Sequence, residues 1–255
     1  MIPILVAHRG YMQNYPENSL LGIEEALRAG ACMIEFDVQL SADHQMIILH
    51  DTDFERTAGR SDSVFDLKQT DIKKISVHEP QRFGDKFLPT PVPTLSQVMD
   101  LVKKFPEVTA FVEIKNESLD RWGFEFVMYK LHETLKPYAS QCVVIAYSLK
   151  AVQDVKQRGL CRTGWVLTSF DDEHRQHAQE LKPDYLICNH EKIPDDYKLS
   201  DSPWQGCGEW MLYDITDPEL ALQWTKSGVA LIETCDVGAM LKHPQLKKSA
   251  CHHDA

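Results

Sequence analysis

Residues 143–167 read VVIAYSLKAVQDVKQRGLCRTGWVL. The run Val143–Tyr147 is short, apolar and rich in β-branched residues, which is the composition of a strand. Ser148 can cap a helix through its hydroxyl, Val152 and Val155 recur at helical spacing, and Gly159 supplies the stop. Thr163–Leu167 then reads as a second strand. A strand, a helix and a strand in this order form one crossover unit, whose two strands lie parallel.

The same unit recurs in both directions along the chain. Further candidate strands are Ile4–His8, Cys32–Val38, Ala110–Lys115, Tyr185–Cys188, Glu209–Ile215 and Val229–Thr234. One helix starts near Asn18-Ser19 and stops at Gly30; another starts at Asp217-Pro218 and stops at Gly228. Asp171–Leu181 is a helix ended by Pro183, and Thr94-Leu95 opens another. Glu117–Leu135 puts Val127, Leu131 and Leu135 on one face, so its aromatic residues read as core. Eight strands alternating with helices over roughly 240 residues predict a (β/α)8 TIM barrel. An open doubly wound sheet is the weaker reading, because no glycine-rich phosphate loop follows the first strand.

Two places break the rhythm. Met33–Leu40 and Gln45–His50 are separated only by Ser41–His44, too few residues for a crossover helix, so they predict an antiparallel hairpin. A turn centred near residues 42–43 would set Glu35 opposite His50. About 40 residues then lie between His50 and Thr94, far beyond an ordinary connection. They include Phe54, Val64, Phe65, Leu67, Ile72, Ile75, Phe83 and Phe87, enough apolar mass for a small packed insertion. The expected organisation is one barrel domain over residues 1–245, an insertion at about 52–92, and a tail over 246–255 that is frayed from Ser249 to Ala255.

With 255 residues the chain can bury a sizeable core. Its net charge of −11 repels nucleic acid and anionic membrane surfaces, so neither is an expected partner. The seven cysteines are odd in number and scattered, which argues against a disulfide framework or a zinc knuckle. The short apolar run at Met1–Val6 has no basic flank and is too short for a signal peptide or a membrane span, so cytoplasmic residence is expected.

The chemistry gathers at the predicted strand ends. The first strand ends in His8-Arg9, the second carries Glu35 and Asp37, the hairpin return ends in His50-Asp51, and the third parallel strand carries Glu113 and Lys115. Period-two spacing puts each pair on one strand face, and the C-terminal ends of barrel strands meet at one rim. Three carboxylates in one pocket need a cation to stay ionised. Oxygen-only ligands suit magnesium or calcium. Arg9 offers a planar fork for phosphate oxygens and Lys115 a point charge. Two histidines, each with an ordinary pKa of roughly 6.5, can serve as base and acid. The set reads as metal-assisted phosphoryl transfer to water or to an internal hydroxyl. His190, His252 and His253 read as surface or tail residues, Asn18 as a helix cap, and Asp51 and Arg56 as partners of each other.

Six motifs in order carry a resemblance. They are A-H-R-G (Ala7–Gly10), P-E-N-S (Pro16–Ser19), I-E-F-D-V (Ile34–Val38), L-H-D (Leu49–Asp51) with E-R-T (Glu55–Thr57), P-T-L (Pro93–Leu95) and V-E-I-K (Val112–Lys115). The chain resembles the glycerophosphodiester phosphodiesterase family from Pro3 to about Leu241. The resemblance implies a (β/α)8 barrel with an insertion after the second strand region. It implies hydrolysis of glycerophosphodiesters to sn-glycerol 3-phosphate and an alcohol. It also implies one divalent ion on Glu35, Asp37 and Glu113, an acid–base pair of His8 and His50, and Arg9 and Lys115 on the phosphate. His8 is assigned as base and His50 as acid.

The late motifs depart from the family pattern. Tyr213-Asp214-Ile215-Thr216 stands where W-T-V-N is common, and Ile232-Glu233-Thr234-Cys235-Asp236 replaces I-T-D-x-P. Tyr213 can still pack on glycerol carbons as a substrate-binding residue. Other readings are head-group release from lysophospholipids, a metal-dependent amidohydrolase and a non-catalytic binding barrel. No amphipathic lipid-facing stretch supports the first, the H-x-H needed by the second is absent, and the third would be expected to have lost one of the charged residues.

Overall fold

The computed structural model describes residues 2–251. Eight parallel strands close on themselves: β1 (Ile4–Ala7), β2 (Met33–Leu40), β6 (Thr109–Ile114), β7 (Cys142–Ala146), β8 (Arg162–Val166), β9 (Tyr185–Asn189), β10 (Glu209–Tyr213) and β11 (Leu231–Thr234). Closure comes from β1, which pairs with both β2 and β11. The expected (β/α)8 barrel is therefore the architecture.

The strands are largely buried on both faces because each face meets a different core. Residues such as Leu5, Ile34, Phe36, Val112 and Val144 point outward and bury against the helices. The alternate residues, including Val6, Phe111, Val143, Val166, Ile187 and Met211, point inward and fill the barrel. Along β2 and β6 the inward row continues into charge: Glu35, Asp37, Glu113. The lower barrel is thus packed with hydrocarbon and the upper barrel is polar, as two-residue alternation along tilted strands requires.

The helices follow the sequence signals with two amendments. Ser148 caps Leu149–Arg158, Asp171 caps Asp172–Leu181, and Asp217 caps Pro218–Lys226. The predicted helix Glu117–Leu135 is two helices, Asn116–Trp122 and Phe124–Leu135, broken at Gly123, whose φ of 87° no helix accommodates. Ser19, not Asn18, caps Leu20–Arg28.

The hairpin is present, with β3 (Met46–Ile48) antiparallel to β2, but its register differs from the expected one. Val38 faces Ile48, and the Leu49 N–H donates to the Asp37 carbonyl, so pairing closes about a turn one half-step later. Glu35 does not face His50 across this ladder. The segment after His50 holds a two-stranded sheet, β4 (Asp53–Phe54) and β5 (Arg60–Ser63), over its own cluster of Phe54, Val64, Ile72, Ile75 and Val77. Ile47 and Leu49 extend that cluster from the hairpin, so the lobe grows directly out of the barrel rim.

The C-terminal segment is not frayed through residue 251. Leu246–Ser249 forms a short 3-10 turn, Leu246 is fully buried, and Cys251 is disulfide-bonded to Cys32 at the base of β2. Scattered cysteines do not suggest this bond, because its partners lie 219 residues apart and meet only in the folded barrel. Cys142, Cys188 and Cys207 are buried free thiols. His252 and His253 lie outside the described residues. No helix among the described residues is long and apolar enough to cross a membrane.

Candidate functional site

At the C-terminal end of β1 the chain turns through His8-Arg9-Gly10. Arg9 and Gly10 both adopt left-handed backbone, with φ of 51° and 83°. A Cβ on Gly10 would stand 2.7 Å from the Gly22 carbonyl carbon, so only glycine lets this turn press on the following helix. The turn aims the Arg9 backbone N–H at Glu35 Oε2 (3.1 Å). The guanidinium donates from an Nη to Glu17 Oε1 at 3.1 Å. Its Nε lies 3.1 Å from Asp37 Oδ2 as an ion pair, but off the hydrogen-bond direction, leaving a buried N–H without an acceptor.

Parallel register sets Asp37 beside Glu113, and the flanking residues bring Lys115 to the same spot. Lys115 Nζ donates to Glu113 Oε1 at 2.8 Å and stands 3.4 Å from Asp37 Oδ1. Carboxylate oxygens of Glu35, Asp37 and Glu113 lie within 4.8 Å of one another. Burial, then the charge of Asp37, drives Glu35 well above the carboxylate range and raises Glu113 as well. Burial would raise Asp37 too, but Arg9 and Lys115 overcome it and hold this carboxylate far below its usual value. Lys115 is itself raised: burial opposes its charge, and Asp37 and Glu113 more than offset that.

The two histidines stand in different surroundings. His8 is pushed down to about 4, by burial first and by Arg9 second. Its Nε2 is 3.9 Å from Glu35 Oε2 and its Nδ1 3.9 Å from Asp214 Oδ1, both too long for a hydrogen bond. His50 is tethered: its Nδ1 lies 2.6 Å from Asp51 Oδ1, and Gln39, buried on β2, donates to its carbonyl. Asp51 in turn accepts from Arg56 Nε at 2.8 Å, as the sequence pairing of those two residues expects.

The structure therefore brings His8, Arg9, Glu35, Asp37, His50, Glu113, Lys115 and Tyr213 to one cavity. Its opposite wall is Ile145, Tyr147, Val166, Ile187 and Tyr213, with the two tyrosine hydroxyls 3.2 Å apart. Several contributors escaped the sequence reading. Asn18, read as a cap, donates to Asp37 Oδ2 at 2.9 Å and accepts from the Asp37 N–H at 3.2 Å. Glu17 is buried between Arg9 and Arg56, and its N–H donates to Glu79 Oε1 of the lobe at 2.7 Å. Glu233 and Asp214 line the cavity from β11 and the end of β10. The P-E-N-S string was the available signal for Glu17 and Asn18, and the late motifs that contain Asp214 and Glu233 were the signal for those two.

Comparison with known proteins gives a consistent picture. Residues 8–138 match the glycerophosphoryl diester phosphodiesterase family. The glycerophosphodiester phosphodiesterase of Caldanaerobacter subterraneus subsp. tengcongensis is 31% identical over 194 residues, covering 73% of this chain and 77% of its own. Human glycerophosphodiester phosphodiesterase 1 is 23% identical over 236 residues, covering 89% and 70% respectively. Among solved structures, an Oleispira antarctica phosphodiesterase in complex with the product sn-glycerol-3-phosphate superposes with a TM-score of 0.83 at 20% identity, covering 94% of this chain and 96% of that one. Glycerophosphodiester phosphodiesterase from Thermotoga maritima superposes with a TM-score of 0.74 at 20% identity, covering 95% and 98%. At those identities the structural likeness speaks for the fold.

Proposed function

The chain belongs to the glycerophosphoryl diester phosphodiesterase family, and on that premise we propose that it hydrolyses glycerophosphodiesters to sn-glycerol 3-phosphate and an alcohol, using one divalent cation and two histidines. The observation that carries this reading is the convergence of three carboxylates, two fixed cations and two differently held imidazoles at one end of the barrel.

The donor set fits a hard cation. Glu35, Asp37 and Glu113 offer only oxygen, their oxygens are clustered, and two of the three are driven toward protonation where no cation balances them. These residues would hold Mg2+ or Ca2+. Such an ion, when bound, polarises a phosphoryl oxygen and stabilises the charge that develops on it.

The protein's own groups supply the remaining steps. Arg9 has one buried N–H without an acceptor, and it stands with Lys115 beside the carboxylate cluster, suited to phosphate oxygens. His8, with its pKa near 4, is neutral at pH 7 and keeps a lone pair. It takes the proton from the attacking hydroxyl as the bond to phosphorus forms. His50 lines the cavity with its Nδ1 tied to Asp51, which leaves Nε2 free for the substrate. It gives its proton to the departing alkoxide as the P–O bond breaks. Tyr213 and the apolar wall pack on the carbon skeleton. The test is release of glycerol 3-phosphate from diesters of several alcohols, with and without EDTA. Release that persists undiminished in EDTA sinks the cation, and no release from any diester sinks the reading.

A further inference from the structure

Glu233 enters the barrel from β11, paired in register with Val6 of β1. The reaction proposed above does not use it. It is only 4% exposed, and among the described residues its carboxyl group makes no hydrogen bond or ion pair. A buried carboxylate without a partner is costly to keep, so its retention in the cavity calls for something that balances it. The imidazole of His8 is equally bare: both ring nitrogens stand 3.9 Å from their nearest carboxylate oxygens.

One ligand atom each from His8, Glu35 and Glu233 lies within 4.8 Å of the other two. Two donors on opposite sides of an ion, each at about 2.1 Å, stand about 4.2 Å apart, so the His8–Glu35 gap of 3.9 Å has room for one. Glu35 also belongs to the carboxylate trio with Asp37 and Glu113, and a carboxylate has two oxygens to share. Carboxylate-bridged pairs of ions sit about 3.5–4 Å apart.

We propose that His8, Glu35 and Glu233 form a second cation site, bridged through Glu35 to the first. Its one imidazole among carboxylates favours an ion such as Zn2+ over Mg2+ or Ca2+, and Mn2+, which accepts both donor types, serves as the spectroscopic probe that fills the all-oxygen site first. An ion on His8 occupies the lone pair that the reaction needs, so filling this site inhibits. The inference rests on the reading of the first site and of His8 given above.

The metal-stripped chain is titrated with Mn2+, following bound ion by equilibrium dialysis and by electron paramagnetic resonance, with hydrolysis measured on the same samples. Two ions per chain are expected, the second producing an exchange-coupled spectrum. Hydrolysis should rise with the first equivalent and fall with the second. Glu233→Gln, which preserves shape, should bind one ion, show no coupled spectrum and lose the decline at high Mn2+. One ion in the unmodified chain at saturation overturns the second site and leaves the first standing. No bound ion overturns both. Two ions in Glu233→Gln, or a rate still climbing as the second equivalent binds, also overturns the inference.

Discussion

The two walls of the cavity are built on the same barrel yet obey different rules. The wall from β1, β2 and β6 carries Arg9, Glu35, Asp37, Glu113 and Lys115, each held by a named partner at a short distance. The wall from β7 to β10 carries Ile145, Val166, Ile187 and the two tyrosines, and its side-chain polar contacts are sparse: Tyr147 approaches Tyr213 at 3.2 Å, and at the rim Asn189 donates to Asp214 at 3.2 Å. Charges on the first wall fix one another, so geometry there is over-determined and a single replacement leaves a buried partner stranded. Hydrocarbon on the second wall is non-directional and tolerates a change of shape. The first wall should therefore govern rate, and the second should govern which molecule is held.

The largest effects should come from the two histidines, which stand at the strand ends of the charged wall. His8→Ala and His50→Ala should each lower kcat by about 10²- to 10⁴-fold on glycerophosphodiesters. The two should separate on an activated aryl diester, whose leaving group hardly needs a proton: His50→Ala recovers much of its rate and His8→Ala does not. The reverse pattern exchanges their roles. Next, Asp37→Asn removes the charge that Arg9, Lys115 and Asn18 all address. A loss on the order of 10³-fold in kcat/KM is expected, with weakened cation binding by calorimetry; undiminished cation affinity would break the assignment of Asp37 to that ion.

A smaller effect tests whether the lobe serves the charged wall. Arg56 reaches from the lobe to Glu17 and Asp51, which hold Arg9 and His50. Arg56→Ala should cost about tenfold in kcat, partly restored in Arg56→Lys, with head-group preference nearly unchanged. A changed preference with intact kcat would move Arg56 to the selecting side. The smallest effect belongs to the apolar wall: Tyr213→Phe keeps the ring and loses one hydroxyl contact, and should alter KM by about two- to fivefold with kcat preserved. A collapse of kcat in that variant would erase the distinction between the walls.

The charged wall was the legible one. His8, Arg9, Glu35, Asp37, Glu113 and Lys115 occupy the ends of successive strands, and two-residue alternation makes such pairs visible in the string. The barrel itself was legible because glycine stops and apolar strands repeat along the chain. The apolar wall was not, since inward Val and Ile residues look the same whether they fill the lower barrel or line its mouth. Asn18 was misread because Asn next to Ser resembles a cap, whereas its own left-handed backbone (φ 52°) turns the amide toward Asp37. The hairpin register shifted by half a step because turn geometry, not hydrophobic pattern, sets it. Glu233 and Cys251 depend on contacts between distant parts of the chain, which local periodicity does not record.

The Cys32–Cys251 bond has a topological consequence. It closes residues 32 to 251 into a covalent ring that carries every residue lining the cavity except His8 and Arg9, which sit on the arm before Cys32. A protease that nicks the lobe between Thr52 and Val92 would linearise the ring without dividing the molecule, so both pieces would travel together until a reductant is added. Closing a loop of this size also removes freedom from the unfolded chain worth about 5 kcal/mol, and a nick would forfeit that constraint while leaving the folded contacts in place.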